Sequence, residues 1–159
     1  MARFAARLAA TGIVAAICPL AAVQAAQVEA LEVRLFLQDS GTFSAPIAES
    51  AELWNVIIGN YNDDDTRPSS STFVRVQVSG PSGSYNGRDF VTLIVVASVH
   101  GRRVRQNVFR KQLGVFGKTG KQYVGFWLPN TGCEELALVA RVSSDSRSIR
   151  ATVPFVCGE

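Results

Sequence analysis

VTLIVVASV, residues 91–99, decides the fold class. The stretch is dense in β-branched side chains, which are stiff at χ1 and fit a pleated surface better than a helix. It carries no polar alternation, so it reads as a strand buried on both faces. Working outward, Gly101 breaks the chain and Val104–Leu113 returns as an antiparallel partner. Lys121–Leu128 is the next strand, closed by the turn residues Pro-Asn-Thr-Gly at 129–132. Glu134–Val142 and Ser148–Val156 follow. On the N-terminal side, Phe73, Val74, Val76 and Val78 form a strand that ends at SGPSGSYNG, a segment of turn residues. Val33, Leu35 and Leu37 alternate with Glu32, Arg34 and Phe36, the period of a half-buried strand.

About seven strands separated by Gly, Pro, Asn and Ser clusters predict an all-β fold, an antiparallel β-sandwich immunoglobulin-like in architecture. One segment fits less well. Pro46–Ile58 reads as a short helix, with Ser44 as its cap, Pro46 in the first turn and Gly59 as its stop. Leu53, Trp54, Ile57 and Ile58 would make its apolar stripe. The alternative for this segment is one more strand.

The N-terminus predicts the compartment. Arg3 and Arg7 precede an apolar stretch, LAATGIVAAICPLAAV, and Val23-Gln24-Ala25 places small residues where a signal peptidase reads. The expectation is a signal peptide over residues 1–25 and a single mature domain over 26–159, periplasmic or secreted. No run in the mature chain is apolar and long enough to be a membrane-spanning helix. Removing Arg3 and Arg7 leaves fourteen basic residues against thirteen acids, a net charge of +1. That balance hides a split. Residues 26–70 carry eight acids and two arginines, whereas residues 71–159 carry twelve basic residues and five acids. Such a split means an anion-binding second half or ion pairing between the halves.

Export permits a disulfide, and two cysteines remain after cleavage, Cys133 and Cys157. A hairpin whose loop SSDSR is centred on Asp145 sets Val142 opposite Ser148 and Cys133 opposite Cys157. Opposed residues on antiparallel strands lie about 4.5–5.5 Å apart at Cα, within disulfide range. The bridge would close a 25-residue loop, worth about 3.5 kcal/mol in the chain-entropy treatment. The spacing differs from that of an immunoglobulin domain, whose cysteines lie far apart with a tryptophan between them.

Chemistry-bearing patterns are few. Asn60, Asn62, Asp63, Asp64 and Asp65 offer oxygens to calcium, with Asp39 as a possible helper. The EF-hand spacing fails, however, because Asp65 stands where that loop needs glycine and Ser71 where it needs glutamate. Consecutive aspartates also diverge, so the segment reads as a solvated connector and no metal site is expected. Gly-Lys-Thr-Gly-Lys, 117–121, lacks the earlier glycine of a P-loop, since position 112 is Gln112. It reads as a turn. The single histidine, His100, sits beside Gly101 at a strand end and reads as a turn residue rather than a general base. Glu134 and Glu135 are adjacent, so on a strand they face opposite ways. No nucleophile is marked, no cofactor is implied, and an enzyme is not expected.

The remaining unusual stretch is HGRRVRQNVFRK, residues 100–111. Uninterrupted alternation would set Arg103, Arg105, Asn107, Phe109 and Lys111 on one face. Arg103, Arg105 and Lys111 are thus the candidate ladder for an anionic polymer or surface. The competing role is an edge strand whose charges deter aggregation. The sequence therefore reads as a small exported binding or structural module engaging anionic envelope or extracellular material. Two alternatives stand beside it: an accessory subunit or inhibitor that binds another exported protein through strand edges, and a polysaccharide-acting enzyme of unrecognised type.

Overall fold

Alternation of apolar and polar residues sets the architecture. The computed structural model describes residues 25–47, 53–54, 69, 71–132 and 134–156. Among the described residues ten strands are formed: β1 Gln27–Leu37, β2 Thr42–Phe43, β3 Leu53–Trp54, β4 Ser71–Ser79, β5 Phe90–Val99, β6 Arg102–Gln112, β7 Lys121–Pro129, β8 Glu135–Val142, β9 Ile149–Val153 and β10 Phe155–Val156. Two antiparallel four-stranded sheets carry the fold, in the orders β2-β1-β4-β7 and β6-β5-β8-β9. They stack as a β-sandwich. Among the described residues no helix is long and apolar enough to cross a membrane.

In β1, β4, β5, β7 and β8 alternate residues enter the space between the sheets. Leu35, Val74, Val76 and Phe126 come from the first sheet, and Leu93, Leu136, Leu138 and Ala140 from the second, all at most 2% exposed. Phe116, on the loop before β7, is fully buried and lies close to the backbone of Gly80. A Cβ at Gly80 would sit 2.6 Å from that ring, so the close packing there requires glycine. Thr72 and Thr131 bury a hydroxyl pair at 2.7 Å beside this apolar layer, satisfying both polar groups.

Turn chemistry sets the pairing. His100 and Gly101, at φ 49° and 72°, form the two-residue link between β5 and β6. Positive φ at both central residues is the type I′ geometry that matches strand twist. His100 is therefore a turn residue.

Three expectations need correction. First, Val91–Val99 is buried on one face only: Val91, Leu93, Val95 and Ala97 point inward, while Ile94 and Val96 are half-buried on the outer face. Antiparallel sandwich sheets bury one face each, and the outer apolar residues are shielded mainly by cross-strand neighbours. Second, the expected helix over 46–58 is absent where the chain is described. Leu53–Trp54 is a strand, paired in parallel with Phe155–Val156. Ser44 and Ile47 donate their backbone N–H groups to Leu35 and Val33 of β1, at 3.0 and 2.9 Å. Ser44 Oγ accepts from the Leu35 N–H at 3.0 Å instead of capping a helix. Extended chain here satisfies backbone groups of β1 that a helix would leave open. Residues 48–52 and 55–58 lie outside the described residues.

Third, the β8–β9 hairpin is one residue off the expected register. Ala140 faces Ile149 and Leu136 faces Val153. The expected register would have set Arg150 opposite Ala140, which is fully buried. A one-residue slip moves a whole strand to the other face, so burial of Ile149, Ala151 and Val153 with exposure of Arg150 and Thr152 selects the observed pairing. Pro154 then ends β9, and β10 turns away to pair with β3.

Candidate anion-binding face

The basic stretch forms β6, the outermost strand of its sheet. A bulge interrupts its alternation. Arg105 faces Ala97, but Arg103 faces Ser98, leaving Val104 without a partner. Ala97 and Ser98 point to opposite faces, so Arg103 leaves the face of Arg105.

The three candidate residues therefore separate. Arg105 turns toward the other sheet and pairs with Glu134, Nη2 to Oε2 at 2.8 Å. Lys111 donates from Nζ to the Gly125 carbonyl of β7 at 2.5 Å and lies 5.5 Å from the centre of the Phe126 ring. Phe109, between them on that face, packs against Phe126 at 6.4 Å. These contacts tie the β6 edge to the β7 edge and close that side of the sandwich. Arg103 alone joins the outer face. Glu134 and Glu135 also diverge, one meeting Arg105 and the other standing opposite Ser98.

On the outer face of β6-β5-β8-β9 the pairing builds rows that sequence inspection did not assemble. Thr92 of β5 has Arg110 of β6 on one side and Arg141 of β8 on the other. The next row is Val108, Ile94, Val139 and Arg150. Farther along, Arg103, Ser98 and Glu135 share a row. Arg103, Arg110, Arg141 and Arg150 are all exposed. Arg110 lies over the Phe90 ring at 5.0 Å, a contact that does not use its N–H donors.

A depression of about 390 Å³ lies over the Thr92 row, lined by Thr92, Val108, Arg110, Arg141, Val142, Ser143 and Asp145. Asp145 is its one acid. Its carboxylate accepts from the Arg147 backbone N–H at 3.0 Å and from Nε at 3.2 and 3.1 Å. Donation from the Arg147 guanidinium, and then from its backbone, holds the Asp145 carboxyl below its ordinary value. Asp145 is thus paired away from Arg141.

Nearby, Asp89 anchors the β4–β5 connection to the β8–β9 loop. Burial alone would raise its carboxyl, but hydrogen bonds from Ser144, Asn86 and Ser143 outweigh burial and lower it. Asp89 holds Ser143, which lines the depression, and among the described residues Arg110 and Arg141 have no carboxylate partner.

Among the described ion pairs, Arg75 with Glu32 alone joins the acidic and basic halves. Glu49, Glu52 and the calcium candidates Asp63, Asp64 and Asp65 lie outside the described residues, as do Cys133 and Cys157. Among the described residues no group of three or more His, Cys, Asp or Glu is placed to hold a metal.

Arg141 and Arg150 escaped the sequence reading because each is isolated in its own strand, whereas Arg102, Arg103, Arg105 and Arg110 cluster in one, Arg110 on the face opposite the ladder. The signal available was alternation: Arg141 lies between inward Ala140 and Val142, and Arg150 between Ile149 and Ala151. Their assembly needs the pairing of four strands. The chain matches no protein-family model and no curated protein.

Proposed function

We propose that the protein is a small exported, non-catalytic binding module that engages an anionic polymer of the envelope or extracellular space. The contact is the outer face of β6-β5-β8-β9, in place of the ladder expected from β6 alone. The observation that carries this reading is the row Arg110–Thr92–Arg141, two exposed arginines on either side of one threonine, with no carboxylate partner among the described residues. Guanidinium groups held on a rigid sheet lose little freedom on binding and present forked donors to oxyanions. Arg103 and Arg150 extend the positive surface along the face.

The immunoglobulin-like reading of the architecture draws support from strand order. In order across each sheet, β1, β4 and β7 correspond to A, B and E of that fold, and β6, β5, β8 and β9 to C′, C, F and G. A role through strand-edge addition is less favoured, since the bulge and the cations of β6 protect that edge. The Cys133–Cys157 bridge remains part of the proposal through export, and thiol titration of denatured, unreduced mature protein reads it directly.

Chromatography of the mature protein, residues 26–159, on immobilised heparin tests the function. Retention at low salt should be lost near 0.15 M, where the screening length is about 8 Å. Arg141→Glu with Arg150→Glu should abolish retention. Lys118→Glu with Lys121→Glu, an equal change in net charge elsewhere, should leave most of it. Equal losses from both pairs would reduce the effect to net charge and remove the face from the reading.

A further inference from the structure

Within that face, and resting on its reading as an anion-binding surface, we infer that the depression over Thr92 is a subsite for one tetrahedral oxyanion, a sulfate or phosphate ester carried on a polysaccharide. Thr92 is only 7% exposed, and its backbone belongs to the β5 ladders, yet its hydroxyl has no hydrogen-bond partner among the described residues. No buried side-chain polar atom is left orphaned among them either. The two facts together open the Thr92 hydroxyl to the depression. A hydroxyl at the floor of an arginine-flanked hollow is a donor held ready for a ligand oxygen.

The flanking geometry suits a compact, three-oxygen group. Neighbouring strands lie about 4.8 Å apart, so Arg110 and Arg141, two strands apart, are separated by about 10 Å at the backbone. Both side chains line the depression over Thr92, one from each neighbouring strand. Two forks and a central hydroxyl address three oxygens in different directions, whereas a planar carboxylate has two in one plane. Ser143 adds a hydroxyl to the lining, although its Oγ already donates to Asp89 at 2.9 Å.

The rim selects the carrier. Asp145 sits in the lining with its negative charge paired to Arg147. The Arg147 pairing offsets its repulsion of an anion in the seat, and its remaining lone pairs accept from hydroxyls of the carrier. Sugar rings bearing esters and free hydroxyls meet that arrangement. Single-stranded nucleic acid is less well served, because its bases need an open aromatic platform. The aromatic beside this row, Phe90, is stacked against Arg110.

Calorimetry of the mature protein with three oligosaccharides of similar length and charge tests this assignment. One carries sulfate esters, one phosphate esters and one only carboxylates. Wild-type protein should bind an ester-bearing ligand at least tenfold more tightly than the carboxylated one, and the two ester arms show which oxyanion the seat prefers. Thr92→Val should remove most of that preference while leaving carboxylate affinity within about twofold, because it deletes the hydroxyl and keeps the shape. Arg141→Ala should weaken ester binding tenfold or more. Equal affinity for all three ligands, with no effect of Thr92→Val, would overturn the subsite while the wider binding function stands. Binding to none of them at low salt would remove the function itself. Circular dichroism of the Thr92→Val protein distinguishes loss of the seat from loss of the fold, and Thr92→Ser restores the preference if the hydroxyl is responsible.

Discussion

The two outer faces of the sandwich solve the same problem differently. On β2-β1-β4-β7, Phe36, Phe43, Phe73 and Trp127 contact one another, with ring centres 5.1–6.3 Å apart. Beside them Glu32 joins Arg34 and Arg75, and Arg75 stacks over Tyr123 at 5.1 Å. That face satisfies its own groups. On β6-β5-β8-β9 the arginines of the outer rows have no carboxylate partner among the described residues, and the carboxylates near them bond elsewhere. A sheet surface spends its side chains on internal contacts or holds them for a ligand, and the difference lies in the company each charge keeps.

The largest expected effect concerns what the faces share. Phe126 is 1% exposed on the inner side of β7 and meets Phe109 of β6, so it joins the two sheets. Phe126→Ala should destabilise the protein by about 3–5 kcal/mol through lost transfer energy and the cavity left behind. Urea denaturation followed by tryptophan fluorescence and by circular dichroism checks it. A loss below about 1 kcal/mol would mean that the sheets do not depend on one common core.

Substitutions on the outer faces should then diverge. Trp127 is 43% exposed but contacts both Phe36 and Phe43. At about 0.5–1.5 kcal/mol for each aromatic pair, Trp127→Ala should lower stability by about 1–3 kcal/mol. Arg141→Ala should change stability by less than about 0.5 kcal/mol, since it removes no partner from a described group. Its consequence belongs to binding. Comparable stability losses at both positions would erase the distinction between a self-satisfied face and a receptive one.

How far the sequence carries this comparison depends on the range of the interaction. Alternation and turn residues revealed the seven principal strands because side-chain period and local φ are local properties; His100-Gly101 is a clear case. The β8–β9 register was also within reach, since Ile149, Ala151 and Val153 demand burial and Arg150 refuses it. Centring the hairpin on its loop ignored that demand. The bulge at Val104 was not legible, because one unpaired residue leaves no mark in the pattern of RRVRQNVFRK. For the same reason plain alternation groups Arg103 with Arg105 and Lys111. The Arg110–Thr92–Arg141 row was hidden further, being made by three strands that only the sheet order brings together. Local chemistry gives the strands; non-local pairing gives the site.

The smallest expected effect probes the self-satisfied face through pH. Burial would raise the Glu32 carboxyl, but hydrogen bonds and charge from Arg34 and Arg75 outweigh it and hold the group below its ordinary value. A carboxyl depressed by folding adds stability that is fully present above its unfolded value, about 4.3, and is lost as pH falls through the folded value. The partners are partly exposed, Arg34 by 33% and Arg75 by 43% at the side chain. Solvent screening therefore limits the contribution of the cluster to about 0.2–1 kcal/mol. Glu32→Gln should lower stability by that amount at pH 7 and by progressively less as pH falls below about 4. Melting curves of both proteins from pH 7 to pH 2 should converge at the acid end. If the gap stayed constant across that range, the role of Glu32 would be packing rather than charge, and the contrast between paired and unpaired arginines would lose its electrostatic basis. Added salt gives the matching control: it should narrow the gap at pH 7, because both guanidinium groups are within reach of solvent ions.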